Sequence, residues 1–174
     1  MLIETTKNSK ILAELKKRRS LDKTVSIEDE QVELVYFTLS DRYYACYGTD
    51  AKEILPVLRI NPIPGAPNYI LGVVNVRGDI ESVLDLNRIL GVPSQPKSNK
   101  NRIIIGECDG VRSGMLTGVV HDVLSVPKNT IHPPLSTLTE SIKNFVAGET
   151  TYNSNNVTLL NIGEIFKTVL QVKE

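Results

Sequence analysis

The chain has 174 residues, of which 41% are apolar, 23% charged and 5% aromatic, with no tryptophan. That length suits one domain or two small lobes sharing a core, and the composition excludes a disordered, collagen-like or disulfide-stapled chain. Twenty basic residues balance twenty acidic ones, whereas a general nucleic-acid binder carries a basic excess.

The charge is unevenly spread. Residues 1–24 hold seven basic side chains (Lys7, Lys10, Lys16, Lys17, Arg18, Arg19, Lys23) and three acidic ones (Glu4, Glu14, Asp22), so this arm is +4 and the remainder −4. Met1-Leu2-Ile3-Glu4 is acidic early and no long apolar run follows. Neither a secretion signal nor a membrane span is expected, and the chain reads as cytoplasmic. Ser9 is placed to cap a short helix over 9–19 with Ile11, Leu12 and Leu15 on one side. Such a helix is marginal unless it docks on something. A polar linker completes an arm over 1–31, and one domain is expected over 32–174.

From Val32 onward the pattern is that of strands. Val32–Leu39 is rich in β-branched and aromatic residues, Ser40-Asp41-Arg42 makes a turn, and Tyr43–Tyr47 returns. Ile54-Leu55 marks a third strand. Pro62, Pro64 and Pro67 then shape a bend. Leu71–Val76 and Ile80–Leu84 form a hairpin about Arg77-Gly78-Asp79, followed by a short helix at Leu86–Leu90 that Gly91 ends. Pro93–Asn101 reads as a mobile polar connector. A hairpin about Asp109-Gly110 joins Ile103–Ile105 to Met115–Thr117. Another, about Asn153–Asn156, joins Phe145–Thr151 to Val157–Leu160, and a last helix covers Ile162–Leu170.

The second part of the domain repeats the first. Tyr69, Gly72, Leu84 and Asp85 recur as Phe145, Gly148, Leu160 and Asn161, each 76 residues later. The hairpin Leu34–Tyr47 matches Arg102–Leu116, with Tyr47 and Leu116 offset by 69, and Ile54-Leu55 matches Val123-Leu124 at the same offset. The step from 69 to 76 places an insertion around Pro133–Thr139. Each half reads as hairpin, third strand, proline bend, hairpin and short helix. Five short antiparallel strands bury their apolar faces by curling into a small barrel, and two barrels leave a valley that can bind a partner.

Motifs for chemistry are missing. There is no nucleophile elbow, phosphate-binding loop, dinucleotide fingerprint or zinc-protease motif, and neither cofactor nor metal is expected. Cys46 and Cys108 lie singly in apolar stretches and read as small buried hydrophobes. His121-Asp122 could serve a hydrolase, but neighbouring strand residues point to opposite faces, and His121 and His132 read as surface or hinge residues. Tyr36, Tyr43, Tyr44 and Tyr47 are the one aromatic cluster that a nucleic-acid-binding barrel could use for stacking. A binding module is favoured over both alternatives.

The stretch Asn61–Leu90 is the most specific in the chain. A proline-rich bend precedes Tyr69 and Gly72, then Asn75-Val76-Arg77-Gly78 forms a turn, and the following strand ends in Asp85-Leu86. This block resembles the signature of CheW-like chemotaxis coupling proteins. The likeness extends over about 32–170 through Arg102–Cys108, Gly118–Val120, Asp122-Val123, Ile131–Pro134 and Val157–Leu160. Three departures stand out: Ser82 where the family has a proline, His121 where an apolar residue is usual, and Asn161-Ile162 in place of a second Asp-Leu.

The resemblance implies an all-β fold of two intertwined five-stranded SH3-like barrels with short helices, beside an N-terminal helical arm. It implies a non-enzymatic adaptor in a bacterial chemotaxis or related motility array. The implied partners are the cytoplasmic tip of a methyl-accepting chemoreceptor, the regulatory domain of the chemotaxis histidine kinase, and other CheW-like domains, with no nucleic acid and no direct membrane insertion. Carried over by position, Arg77 and Glu53 are the polar candidates for the receptor tip, with Asn75 and Val76 from the same turn. Val57, Val119 and Val123 are candidates for an apolar platform. Gly78, Gly72 and Asp85 are the expected structural turn residues. Independently of the resemblance, a guanidinium carried on a tight turn is pre-oriented for a carboxylate.

Overall fold

The computed structural model describes residues 10–17 and 30–170. Residues 10–17 are helical (α1), and Ile11, Leu12 and Leu15 are all exposed. Ser9, the expected cap, the end of the expected helix at 18–19 and residues 20–29 of the linker lie outside the described residues. Ten strands follow. They are β1 (Gln31–Leu39), β2 (Arg42–Tyr47), β3 (Ala51–Pro56), β4 (Ile70–Val76) and β5 (Asp79–Asp85), then β6 (Arg102–Cys108), β7 (Val111–Thr117), β8 (Val120–Pro127), β9 (Val146–Tyr152) and β10 (Asn155–Leu160). Helix α2 (Leu86–Leu90) follows β5 and α4 (Ile162–Val169) follows β10. Within the 133–143 stretch of the second half lies α3 (Glu140–Lys143), which the sequence pattern does not announce.

The strands form two five-stranded sheets, ordered β8-β1-β2-β10-β9 and β3-β6-β7-β5-β4. Neither sheet comes from one half of the repeat. Each half gives its first hairpin to one sheet and its third strand and second hairpin to the other, so the halves are exchanged. This is the intertwining that the family resemblance implies, and it replaces the simpler reading of one antiparallel barrel per half. Where hairpins of different halves meet, the strands run parallel, at β2·β10 and at β5·β7.

Alternation along β1 and β6 explains why the exchange is stable. Leu34 and Tyr36 fill the first barrel with Ala45, Val157 and Leu159. Ile103 and Ile105 fill the second with Val74, Val76 and Val83. The intervening Val35, Phe37 and Ile104 face a shared layer between the barrels with Leu84, Met115, Leu160 and Phe166. Each fully buried side chain of this kind is worth roughly 1.5–3 kcal/mol, so β1 and β6 stabilise two cores at once.

Each barrel is closed by one short bridge. Asn61 exchanges two backbone hydrogen bonds with Val73 of β4, at 2.8 and 2.9 Å, and His132 does the same with Glu149 of β9. These bridges account for two repeat landmarks. A Cβ on Gly72 would lie 2.2 Å from the Asn61 carbonyl oxygen, and one on Gly148 would lie 2.6 Å from that of His132. Gly72 therefore sits inside β4 at a closure, not in a turn as expected. The other landmarks are caps. Asp85 accepts from the Arg88 amide at the start of α2, and Asn161 accepts from the Glu164 amide at the start of α4. The change from Asp-Leu to Asn-Ile keeps the cap, because either side chain offers the accepting oxygen.

The connector over 93–101 is fastened, contrary to its polar composition. Gln95 Oε1 accepts from the Ser40 amide at 2.8 Å, Ser40 Oγ donates to the Pro93 carbonyl at 2.7 Å, and Asn101 Nδ2 donates to the Pro96 carbonyl at 2.8 Å. Ser82, where the family has proline, sits on β5, which pairs with β7, and shares a 2.7 Å hydroxyl contact with Ser113. Cys46 is buried in the shared layer and Cys108 packs against it, both as free thiols. Burial pushes each thiol up to about 12.

Two outcomes follow from these contacts. Gly72→Ala forces a side chain onto a backbone carbonyl at a φ of 148° and should cost about 3 kcal/mol in urea unfolding, whereas Gly148→Ala should cost less. Above about pH 9 an unfolded thiol has lost the proton that the folded one keeps, so stability falls as pH rises towards 12. Cys46→Val should flatten that alkaline fall in unfolding free energy.

Candidate protein-binding site

The β4–β5 hairpin has a two-residue turn, since Val76 pairs with Asp79. Its two central residues, Arg77 and Gly78, take φ of 53° and 90°. This is the twist that a two-residue hairpin needs, and Gly78 takes it without steric cost. Asn75 fixes the turn through its Oδ1, which accepts from the Gly78 amide at 2.8 Å.

The turn aims Arg77 across the mouth of its barrel. Arg77 Nη1 donates to Glu53 Oε2 at 3.2 Å, and Nη2 makes a shorter contact to Glu53 Oε1. Glu53 lies on β3 and Arg77 at the end of β4, the two outer strands of this sheet. The pair thus straps the edges of the barrel beside the Asn61·Val73 bridge. Arg77 remains 76% exposed while Glu53 is 19% exposed, so the guanidinium is held in one direction yet stays open to a partner.

Of the remaining candidates, Asn75 and Gly78 belong to this tip. Val76 does not, because it is buried in the core of the second barrel. Strand alternation turns it inward between two outward neighbours. Val57 follows β3 and lines a groove of about 780 Å3 with Ile60, Leu71, Leu116, Arg88 and Lys97. Val119 lies in the link between β7 and β8, where its amide and carbonyl bond to Thr38. Val123 is on β8 in the other sheet, 45% exposed. The three valines thus come from three places in the fold, the end of β3, the β7–β8 link and β8.

Sequence reasoning missed a different grouping. β3 and β8 are outer strands of their sheets, and apolar side chains are exposed along both, Ile54 on β3 with Val57 just after it and Val123 and Leu124 on β8. The signal was present in the 69-residue match of Ile54-Leu55 to Val123-Leu124. Only the strand order shows that both pairs lie at edges, where unpaired backbone and apolar side chains invite another protein.

The two alternative sites do not assemble. Tyr44 is buried against Phe37 in the shared layer, Tyr36 is buried in the first barrel and Tyr47 packs against that barrel's core. The expected stacking row is thus split between two interiors. Asp122 accepts from the Tyr152 hydroxyl and the Val123 amide, not from His121. No acid–base pair forms between Asp122 and His121.

Comparison with known proteins agrees with this architecture. Residues 33–170 match the CheW-like domain. The chain belongs to the CheW-like family. It is 25% identical to a chemotaxis protein CheW of Rhizobium meliloti (strain 1021) over 77% of this chain and 86% of that one. It is also 25% identical to a chemotaxis protein CheW of Helicobacter pylori (strain ATCC 700392 / 26695) over 91% of this chain and 95% of the relative. The crystal structure of the scaffolding protein TtCheW from Thermoanaerobacter tengcongensis superposes with a TM-score of 0.72 at 30% identity, covering 79% of this chain and 88% of that one. The CheW-like fold expected from the Asn75–Gly78 block is thereby established.

An exposed ion pair contributes about 0–1 kcal/mol. Arg77→Gln and Glu53→Gln should therefore each lower unfolding free energy by less than about 1 kcal/mol in urea titrations, leaving the fold intact for binding measurements.

Proposed function

We infer that this chain is a chemotaxis coupling adaptor, joining chemoreceptors to a sensory histidine kinase and doing no chemistry of its own. Family membership carries the reading, since CheW-like proteins couple receptors and kinase in chemotaxis arrays. The geometry supports it in three ways. A guanidinium is presented at a rigid turn and steered by Glu53. A partly apolar groove beside β3 carries Val57. Two edge strands expose apolar residues on related positions of the two barrels. No helix among the described residues is long and apolar enough to cross a membrane, so association with a receptor array would run through protein contacts.

In this reading Arg77, with Asn75 shaping its turn, meets carboxylates on the receptor tip, and the groove at Val57 takes apolar side chains of its helices. The exposed edges at Ile54 and Val123 are the surfaces for the kinase regulatory domain or a second CheW-like domain, where strand edges can abut.

The purified chain should coelute with a cognate kinase regulatory domain and with a receptor-tip fragment on gel filtration; migration alone with every cognate fragment would overturn the adaptor role. In a reconstituted kinase assay Arg77→Glu should abolish receptor control. The exchange Arg77→Glu with Glu53→Arg should restore the internal pair and the stability without restoring coupling. Unchanged coupling in the single variant would remove Arg77 from the receptor contact.

A further inference from the structure

The first barrel has its own strap, built differently. Asp122 on β8 stands 69 residues after Glu53, in the matching third strand. Its partner is Tyr152 at the end of β9, whose hydroxyl donates to Asp122 Oδ2 at 3.3 Å. The other carboxylate oxygen accepts from the Val123 amide at 3.1 Å. Among the described residues no lysine, arginine or histidine forms an ion pair with Asp122. Where the second barrel pairs its carboxylate with Arg77, the first leaves it without a cation from the described residues.

The Tyr152 ring that bonds this carboxylate belongs to a cluster of three. Tyr43 and His121 have centroids 5.3 Å apart, Tyr43 and Tyr152 6.0 Å, and His121 and Tyr152 6.2 Å, with planes inclined by 40–47°. Tyr36, fully buried, stacks on Tyr152 at 4.7 Å and backs the group. His121 is exposed, and Tyr43, Asp122 and Tyr152 are half-buried. The grouping depends on a β-bulge. The register passes from Tyr36·Asp122 to Phe37·Val120, which leaves His121 as the extra residue. A bulge breaks the strict alternation of faces, so His121 and Asp122, neighbours in sequence, both reach Tyr152. Burial and then the Asp122 charge push the Tyr152 hydroxyl above its ordinary range.

A negative charge beside a cluster of aromatic rings attracts a cation through both the carboxylate and the ring quadrupoles. A planar guanidinium suits it best, because it can stack on a ring while donating to a carboxylate. We propose that Tyr43, His121, Tyr152 and Asp122 form a docking point for an arginine side chain presented by a protein partner. The site lies on the barrel that does not carry Arg77 and goes beyond the adaptor reading. It gives the protein a contact of opposite polarity, one tip offering a guanidinium and the other accepting one.

The test is a titration of the full chain with N-acetyl-arginine amide, followed by the ring signals of tyrosine and histidine in carbon–proton NMR spectra. The signals of Tyr43, His121 and Tyr152 should shift to saturation, and the uncharged N-acetyl-citrulline amide should leave them in place. Asp122→Asn should weaken the arginine titration about fivefold. Tyr152→Phe, which keeps the ring and loses the hydroxyl, should still respond, and Arg77→Gln should behave as the parent. Equal shifts with citrulline amide, no saturation, or indifference to Asp122→Asn would overturn the site. Ring signals that move when Lys16 and Lys17 are changed to Gln, with no amide added, would assign it to the chain's own basic arm and overturn the partner reading.

Discussion

The layer between the two barrels governs the rest of the molecule. β1 and β6 are buried on both faces, because alternate side chains serve a barrel interior and the shared layer. Phe37, Leu84, Ile104, Met115, Leu160 and Phe166 meet there, drawn from both halves of the repeat. Pulling the halves apart would open this layer and, since the strands are exchanged, both barrels with it. The repeat is therefore visible in sequence but is not a pair of independent folding units.

Exchange creates a closure problem that a few residues solve. Each sheet has two outer strands, and the backbone joins them through a two-hydrogen-bond bridge at the edge of a proline-marked bend. That is why a glycine stands at the same place in both halves: the partner carbonyl occupies the space of a Cβ. Helix caps do the equivalent work after β5 and β10, with Asp85 in one half and Asn161 in the other. These positions tolerate little change for reasons of packing and hydrogen bonding, and none of them needs to touch a partner.

The same frame gives the surface its division of labour. In the second barrel the strap is an ion pair, and its arginine is displayed at the hairpin tip. In the first barrel the corresponding carboxylate meets a tyrosine, and a bulge adds an exposed histidine beside two tyrosines. Duplicated backbone thus carries unlike chemistry at related points. Such asymmetry suits a scaffold, since points of unlike chemistry discriminate between side chains.

Much was legible in the sequence, because strands, turns and caps are set by neighbours along the chain. Strand and turn signals located eight strands, the match of Ile54-Leu55 to Val123-Leu124 marked the other two, and the spacing of Tyr69, Gly72, Leu84 and Asp85 exposed the duplication. The Asn75–Gly78 block identified the family and brought Arg77 and Glu53 forward together. Pairing between distant segments was not legible. Nothing local distinguishes a half that closes on itself from one that trades strands, so the inward face of Val76, the edge positions of Ile54 and Val123 and the tethering of 93–101 emerged only in three dimensions. His121 shows the limit most sharply: alternation sends it away from Asp122, and one extra residue in the register of β8 against β1 brings both to Tyr152. Register is a property of two strands at once, and a single strand's sequence does not contain it.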